Sequence, residues 1–179
     1  MKNHWLTAVN VIAIFALMSL VCAFQTSLWM LVLGGFPPPM IWIVILTYVS
    51  LHRHVFAAVV LNYFLTLVLA AYTVAPFEHF LLNNMICLIF ILLIKSRIYW
   101  PSPNYFMLMT AAATGVHYVA VVILSQFLDR AAIRSPEFFH WVVSFLLTLL
   151  FCIPVYVFLK WLDRITDRDE MVESTGGLV

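Results

Sequence analysis

Uncharged apolar runs long enough to cross a lipid bilayer dominate this chain, and they admit few folds. From Trp5 to Phe24 no side chain is charged, and comparable runs recur near residues 39–51, 55–75, 79–95, 105–124 and 140–161. In hydrocarbon every backbone N–H and C=O must find its partner within the protein, so a spanning segment is either a helix or a strand of a closed barrel. The runs show no strict alternation of apolar and polar residues, which leaves helices. Composition agrees, since 65% of the residues are hydrophobic and 9% charged, more apolar surface than a soluble core of 179 residues can bury. The expected fold is all-α: a polytopic six-helix transmembrane bundle over residues 1–165, followed by a polar tail, 166–179. Its net charge of +1 supplies no field suited to nucleic acid.

The first run is longer than the apolar region of a usual signal peptide and follows only Lys2 and His4, so it is expected to be retained as a span. The second is short against the roughly 20 residues a span needs. Gly34, Gly35, Pro37, Pro38 and Pro39 rule out one straight helix there, and the preceding stretch, 28–36, is a candidate for a re-entrant turn.

Six spans with a cytoplasmic amino terminus place Lys2, Arg53, Lys95, Arg97, Lys160, Arg164 and Arg168 inside and leave Arg130 and Arg134 outside. Basic residues accumulate on the cytoplasmic side of membrane proteins, so both termini are expected there. Trp5, Trp29, Trp42, Trp100, Trp141 and Trp161 fall near span ends, where an indole can keep its N–H in water and its ring in lipid.

Chemistry within a membrane usually needs ionisable groups, and a charge at the bilayer centre costs roughly 3 kcal/mol or more. No Asp, Glu, Lys or Arg is expected mid-span. The chain also lacks a phosphate-cradling glycine loop, an H-E-x-x-H pair and a G-x-S-x-G elbow. No catalytic residue, cofactor site or metal site is assigned, and the expectation is a protein that is not an enzyme. Cys22, Cys87 and Cys152 lie inside apolar runs without C-x-x-C spacing and read as buried thiols. His52 and His54 flank Arg53 and read as interface residues, because two histidines alone make an incomplete metal site.

The polar residues within spans are Asn62, Thr66, Asn83, Asn84, Thr110, Thr114 and His117. Asn62 and Thr66, four apart, share a helix face. They read either as hydrogen bonds between helices or as the lining of a ligand pocket, with the former favoured. Ala111 with Gly115, and Ala71 with Ala75, form small-x-x-x-small faces that let helix backbones approach closely. The connection 125–139 carries Phe127, Leu128 and Ile133 on a short amphipathic piece suited to the membrane surface or to a partner, and Pro154 should disturb the last span.

The order of these features resembles the rod-shape-determining protein MreD family over nearly the whole chain. The matching residues are the proline-led second span, Phe36-Pro37-Pro38-Pro39-Met40-Ile41-Trp42 onward, closing at Leu51-His52-Arg53. The basic exits Lys95-Ser96-Arg97 and Leu159-Lys160-Trp161-Leu162-Asp163-Arg164 are similar too. Where many members carry an acidic residue and glycines near the end of the third span, this chain has Leu65-Thr66-Leu67-Val68-Leu69-Ala70-Ala71. The resemblance implies a scaffold of bacterial cell elongation in the inner membrane, associating with the bitopic MreC and, through it, with MreB and the peptidoglycan synthases. It also implies a fold similar to the substrate-binding subunits of energy-coupling-factor vitamin transporters, so the alternative function is that of a small-molecule binding subunit of a transporter. That alternative calls for a polar pocket open to the outside and an A-x-x-x-A face in the first span; Ala8, Ala13, Ala16 and Ala23 do not have this spacing.

Overall fold

The computed structural model describes residues 2–73, 76–98, 100, 102–128 and 137–166, with side chains from Val9 onward apart from those of Leu128 and Glu137. Every regular element among them is helical: α1 (Lys2–Ala23), a π-helical segment (Phe24–Leu28), α2 (Trp29–Leu33), α3 (Ile41–His52), α4 (Val55–Tyr72), α5 (Phe77–Lys95), α6 (Pro103–Leu128) and α7 (Glu137–Ile165). Five of the resulting rods are long and apolar enough to span a membrane: Val9–Leu33, Val55–Tyr72, Phe77–Lys95, Pro103–Phe127 and Phe138–Ile165. The protein is an all-α multi-pass membrane bundle.

The first rod is longer than the run that ends at Phe24. The π-helical segment joins α1 to α2, with Trp29 N–H donating to the Phe24 carbonyl. Thr26 Oγ1 donates to the Cys22 carbonyl at 2.8 Å. Residues 28–33 therefore continue the first span and do not form a separate re-entrant turn. They present apolar side chains outward, Leu31 and Val32 being 81% and 73% exposed. At 1.5 Å per residue, Val9–Leu33 is about 38 Å long, more than a hydrocarbon core of about 30 Å, so the rod must tilt or protrude.

The sixth helix, α3, is the organising element. Its twelve residues rise only about 18 Å. Every residue from Ile41 to Leu51 is buried, and α3 packs against α1, α4, α5, α6 and α7. A helix that is apolar on all sides must be surrounded by something apolar; here it is surrounded by protein. The chain reaches α3 through the extended segment 37–40, which descends beside α7. Ser144 Oγ donates to the Pro38 carbonyl at 2.7 Å, and Thr148 Oγ1 accepts from Met40 N–H at 2.8 Å. Three prolines leave this strip few N–H groups to satisfy, and two hydroxyls of α7 bond it inside the bundle.

This placement overturns part of the tryptophan reading. Trp29 and Trp42 are each only 6% exposed and belong to the interior. Trp29 Nε1 donates to the Phe36 carbonyl at 3.0 Å, and its ring meets Phe24 and Phe151 edge-on. Trp100 and Trp161 are exposed, while Trp141 is half-buried, stacked on Tyr118. An apolar ring near a chain turn suits a protein core as well as it suits the lipid interface. The free cysteines Cys22, Cys87 and Cys152 are buried as expected.

Burial of α3 leads to a direct test. Cysteine placed at Val44 or Leu46, both essentially inaccessible, should resist a lipid-soluble maleimide in folded protein. Cysteine at Leu31 or Leu150, which face outward, should be modified readily. Equal labelling at the two sets of sites would show that α3 borders lipid.

Candidate functional site

Two charged groups that lie far apart in the sequence meet inside the bundle. The chain turns sharply after α3, and Arg53, its C-terminal neighbour, points back to form an ion pair with Asp163 near the end of α7. Both side chains are nearly sealed, at 5% and 6% exposure. Asp163 Oδ2 accepts from Tyr48 Oη at 2.6 Å, and its Oδ1 accepts from Asn10 Nδ2 at 2.9 Å. Asn10 is itself completely buried in α1; its Oδ1 accepts from Arg53 Nη2 and its Nδ2 also reaches Thr166 Oγ1. Lys95, at the end of α5, donates to the carbonyls of Ser50 and Arg53 at 3.0 and 3.1 Å. Four helices are thereby clasped at one end of the bundle.

The cluster was not anticipated as a site. Arg53 and Asp163 read as basic-turn and helix-exit residues, and Asn10 was not singled out among the polar residues in spans. Among the described residues no charge is held at mid-helix, yet two are buried, because the short α3 delivers Arg53 into the bundle beside the last two turns of α7. Asn10 and Asp163 are 153 residues apart, and no spacing rule reaches so far. The one available signal is Asn10, the single amide in the first apolar run. His52 stacks on Tyr48 with centroids 4.3 Å apart, and His54 accepts a bond from Phe56 N–H at the start of α4. Among the described residues no three His, Cys, Asp or Glu side chains come together as a metal site.

A second polar group lies in the middle of the bundle and brings together residues that the sequence did single out. Asn83 Nδ2 and His117 Nδ1 are 2.6 Å apart, joining α5 to α6. Trp42 of α3 meets the His117 ring edge-on at 4.9 Å. Asn84 Nδ2 donates to Thr66 Oγ1 at 2.9 Å, joining α5 to α4. Asn62 Nδ2 makes a long contact of 3.7 Å to Met85 Sδ. Neighbours on α5, Asn83 and Asn84, thus serve different interfaces, in keeping with a helical step of about 100° per residue. Thr110 and Thr114 are also buried but return their hydroxyls to their own helix, at the carbonyls of Phe106 and Thr110. Asn62, Thr66, Asn83, Asn84 and His117 thus make contacts between helices, Thr110 accepts only a long one from Cys152 Sγ of α7, and the hydroxyl of Thr114 stays within α6.

The outer flank of α5 and α6 has a different character. A groove of about 420 Å³ opens there, lined by Ile86 of α5 and by Ala112, Gly115, Val119 and Ala120 of α6 among other apolar residues. A Cβ added to Gly115 would meet nothing within 4 Å. Gly115 belongs to the small-residue face expected from sequence; Ala111 does not line the groove, and Ala112 takes its place one residue on. The partner of Ala71 in the other small face, Ala75, lies outside the described residues, as do most of the connection near Ile133 and the tail beyond Thr166. The remaining candidates belong to the strip before α3: Phe36 is exposed, Pro37 and Pro38 half-buried and Pro39 buried.

No family model, curated protein or solved structure matches this chain.

Proposed function

We propose that this protein is a non-enzymatic integral-membrane scaffold of the bacterial cell-elongation machinery. It resides in the inner membrane with both termini cytoplasmic and binds a bitopic MreC-like protein that links it to MreB and the peptidoglycan synthases. The observation that carries this reading is the division of labour within the bundle. The buried side chains of Asn10, Arg53, Asp163, Asn83, Asn84 and His117 are spent on helix-to-helix bonds, while an apolar, small-residue groove is left on the flank of α5 and α6. Small residues let a neighbouring transmembrane helix come close enough for backbone packing. The orientation is supported by the clustering of Arg53, Lys95 and the basic end of α7, which belong together on the cytoplasmic side.

Purification from native membranes in mild detergent tests the proposal. An MreC-like bitopic protein should co-purify, and Gly115→Leu, which fills the groove at a position with free space, should reduce its recovery at least tenfold while leaving the thermal midpoint of the bundle unchanged. Recovery of a vitamin-sized ligand together with ATPase subunits would instead make the protein a transporter component.

A further inference from the structure

The last turns of α7 send their two signs of charge to opposite sides. Asp163, the one acidic residue between Leu150 and Ile165, points into the bundle and is spent on Arg53, Tyr48 and Asn10. Lys160 and Arg164 are exposed. Four residues apart, they share a helix face, where like charges one turn apart repel. The Lys160 ammonium lies 5.9 Å from the centre of the Tyr156 ring, a contact that brings no net negative charge. Among the described residues the other acidic ones, Glu78 and Glu137, stand in the first turns of α5 and α7, at the ends opposite to Lys95 and Arg164.

The two cations close a longer exposed stripe. Leu146, Leu150, Ile153 and Val157 are all exposed and lead up to them in alternating steps of four and three residues, so the six line one side of α7. From Leu146 to Val157 the stripe rises about 17 Å, close to the roughly 15 Å of one leaflet in a hydrocarbon core about 30 Å thick. Trp161 is exposed beside Lys160, its ring 5.6 Å from that of Phe158, where an indole suits the headgroup boundary. An apolar track one leaflet long, ending in two uncompensated cations, has the dimensions and charge of a seat for one phospholipid. Its chains would lie on the aliphatic side chains and its phosphate at the cations.

We infer that this face of α7 binds an anionic phospholipid, with its headgroup between Lys160 and Arg164 and an acyl chain along Val157, Ile153 and Leu150. Burial of Asp163 is what makes the site: an outward carboxylate between the two cations would neutralise them, and the ion pair with Arg53 keeps it away.

Native mass spectrometry of the full chain tests this site, after exchange into mild detergent with equal amounts of phosphatidylglycerol and phosphatidylcholine of identical chains. The protein should retain phosphatidylglycerol in preference. Juxtamembrane cations each contribute about fivefold to the binding of anionic lipid, so Lys160→Gln combined with Arg164→Gln should reduce that retention at least tenfold, and Lys160→Arg should preserve it. Arg97→Gln, which removes an exposed cation beyond the end of α5, should leave it unchanged. Glycerol 3-phosphate, a headgroup without chains, should not displace the lipid at millimolar concentration. Equal retention of the two lipids overturns the inference, and is the result expected if the tail carboxylates Asp167, Asp169 and Glu170 already occupy the cations. An equal loss with Arg97→Gln, displacement by glycerol 3-phosphate, or a dimer that excludes lipid from this face would overturn it too.

Discussion

Replacing Asp163 by alanine should destabilise the bundle by about 3–5 kcal/mol, the largest effect expected from any single polar side chain here. The reason is the asymmetry of buried ion pairs. Arg53 is nearly sealed from solvent, and its positive charge is balanced by one carboxylate. Truncating that carboxylate leaves a guanidinium that is permanently charged and has lost its counter-ion, while the Tyr48 hydroxyl and the Asn10 amide lose their acceptor as well. The opposite arm of the experiment matters as much. Arg53→Met combined with Asp163→Leu removes both charges together, and most of the stability should return, since apolar replacements of a buried pair are often neutral or favourable. Denaturant titration of the purified protein gives both values. If Asp163→Ala costs less than about 1 kcal/mol, the pair is solvated and behaves like a surface salt bridge.

Truncation within α3 should give the second large effect. Ile45→Ala removes part of a side chain with no exposure, in a helix enclosed by five others. The cost should be at least about 2 kcal/mol, in the range for buried isoleucine-to-alanine changes. Leu150→Ala, on a side chain that is 70% exposed, should stay within about 0.5 kcal/mol. Hydration does not explain the difference, because lipid tails are as apolar as the protein interior. It lies in packing: around Leu150 lipid can flow into the space vacated, whereas around Ile45 the fixed neighbours cannot follow, and the lost dispersion contacts stay lost. Equal costs at the two positions would place lipid against α3.

The clasp and the central helix act on one another. Arg53 reaches Asp163 because α3 begins deep in the bundle, opposite Thr148, and ends opposite Asp163. A span of ordinary length would carry the arginine out to the surface. Shortening α3 and burying an ion pair are thus two consequences of a single placement, the proline strip held against α7.

By itself the sequence determined the class of protein and the course of most helices. Charge-free runs of spanning length admit only helices in hydrocarbon, and Gly34 to Pro39 set the break before α3. The four-residue step from Asn62 to Thr66 put both on a face that meets another helix, because helical geometry alone decides which neighbours in sequence are neighbours in space. The tertiary structure alone decided which apolar runs face lipid and which face protein. Val44 and Ile45 are as hydrophobic as Leu31 or Leu150, and a hydropathy pattern cannot separate them where the solvent is itself oil. It also decided that Asn10, Arg53 and Asp163 meet, since that contact joins the first, second and last runs of the chain and leaves no trace in the spacing of any one of them.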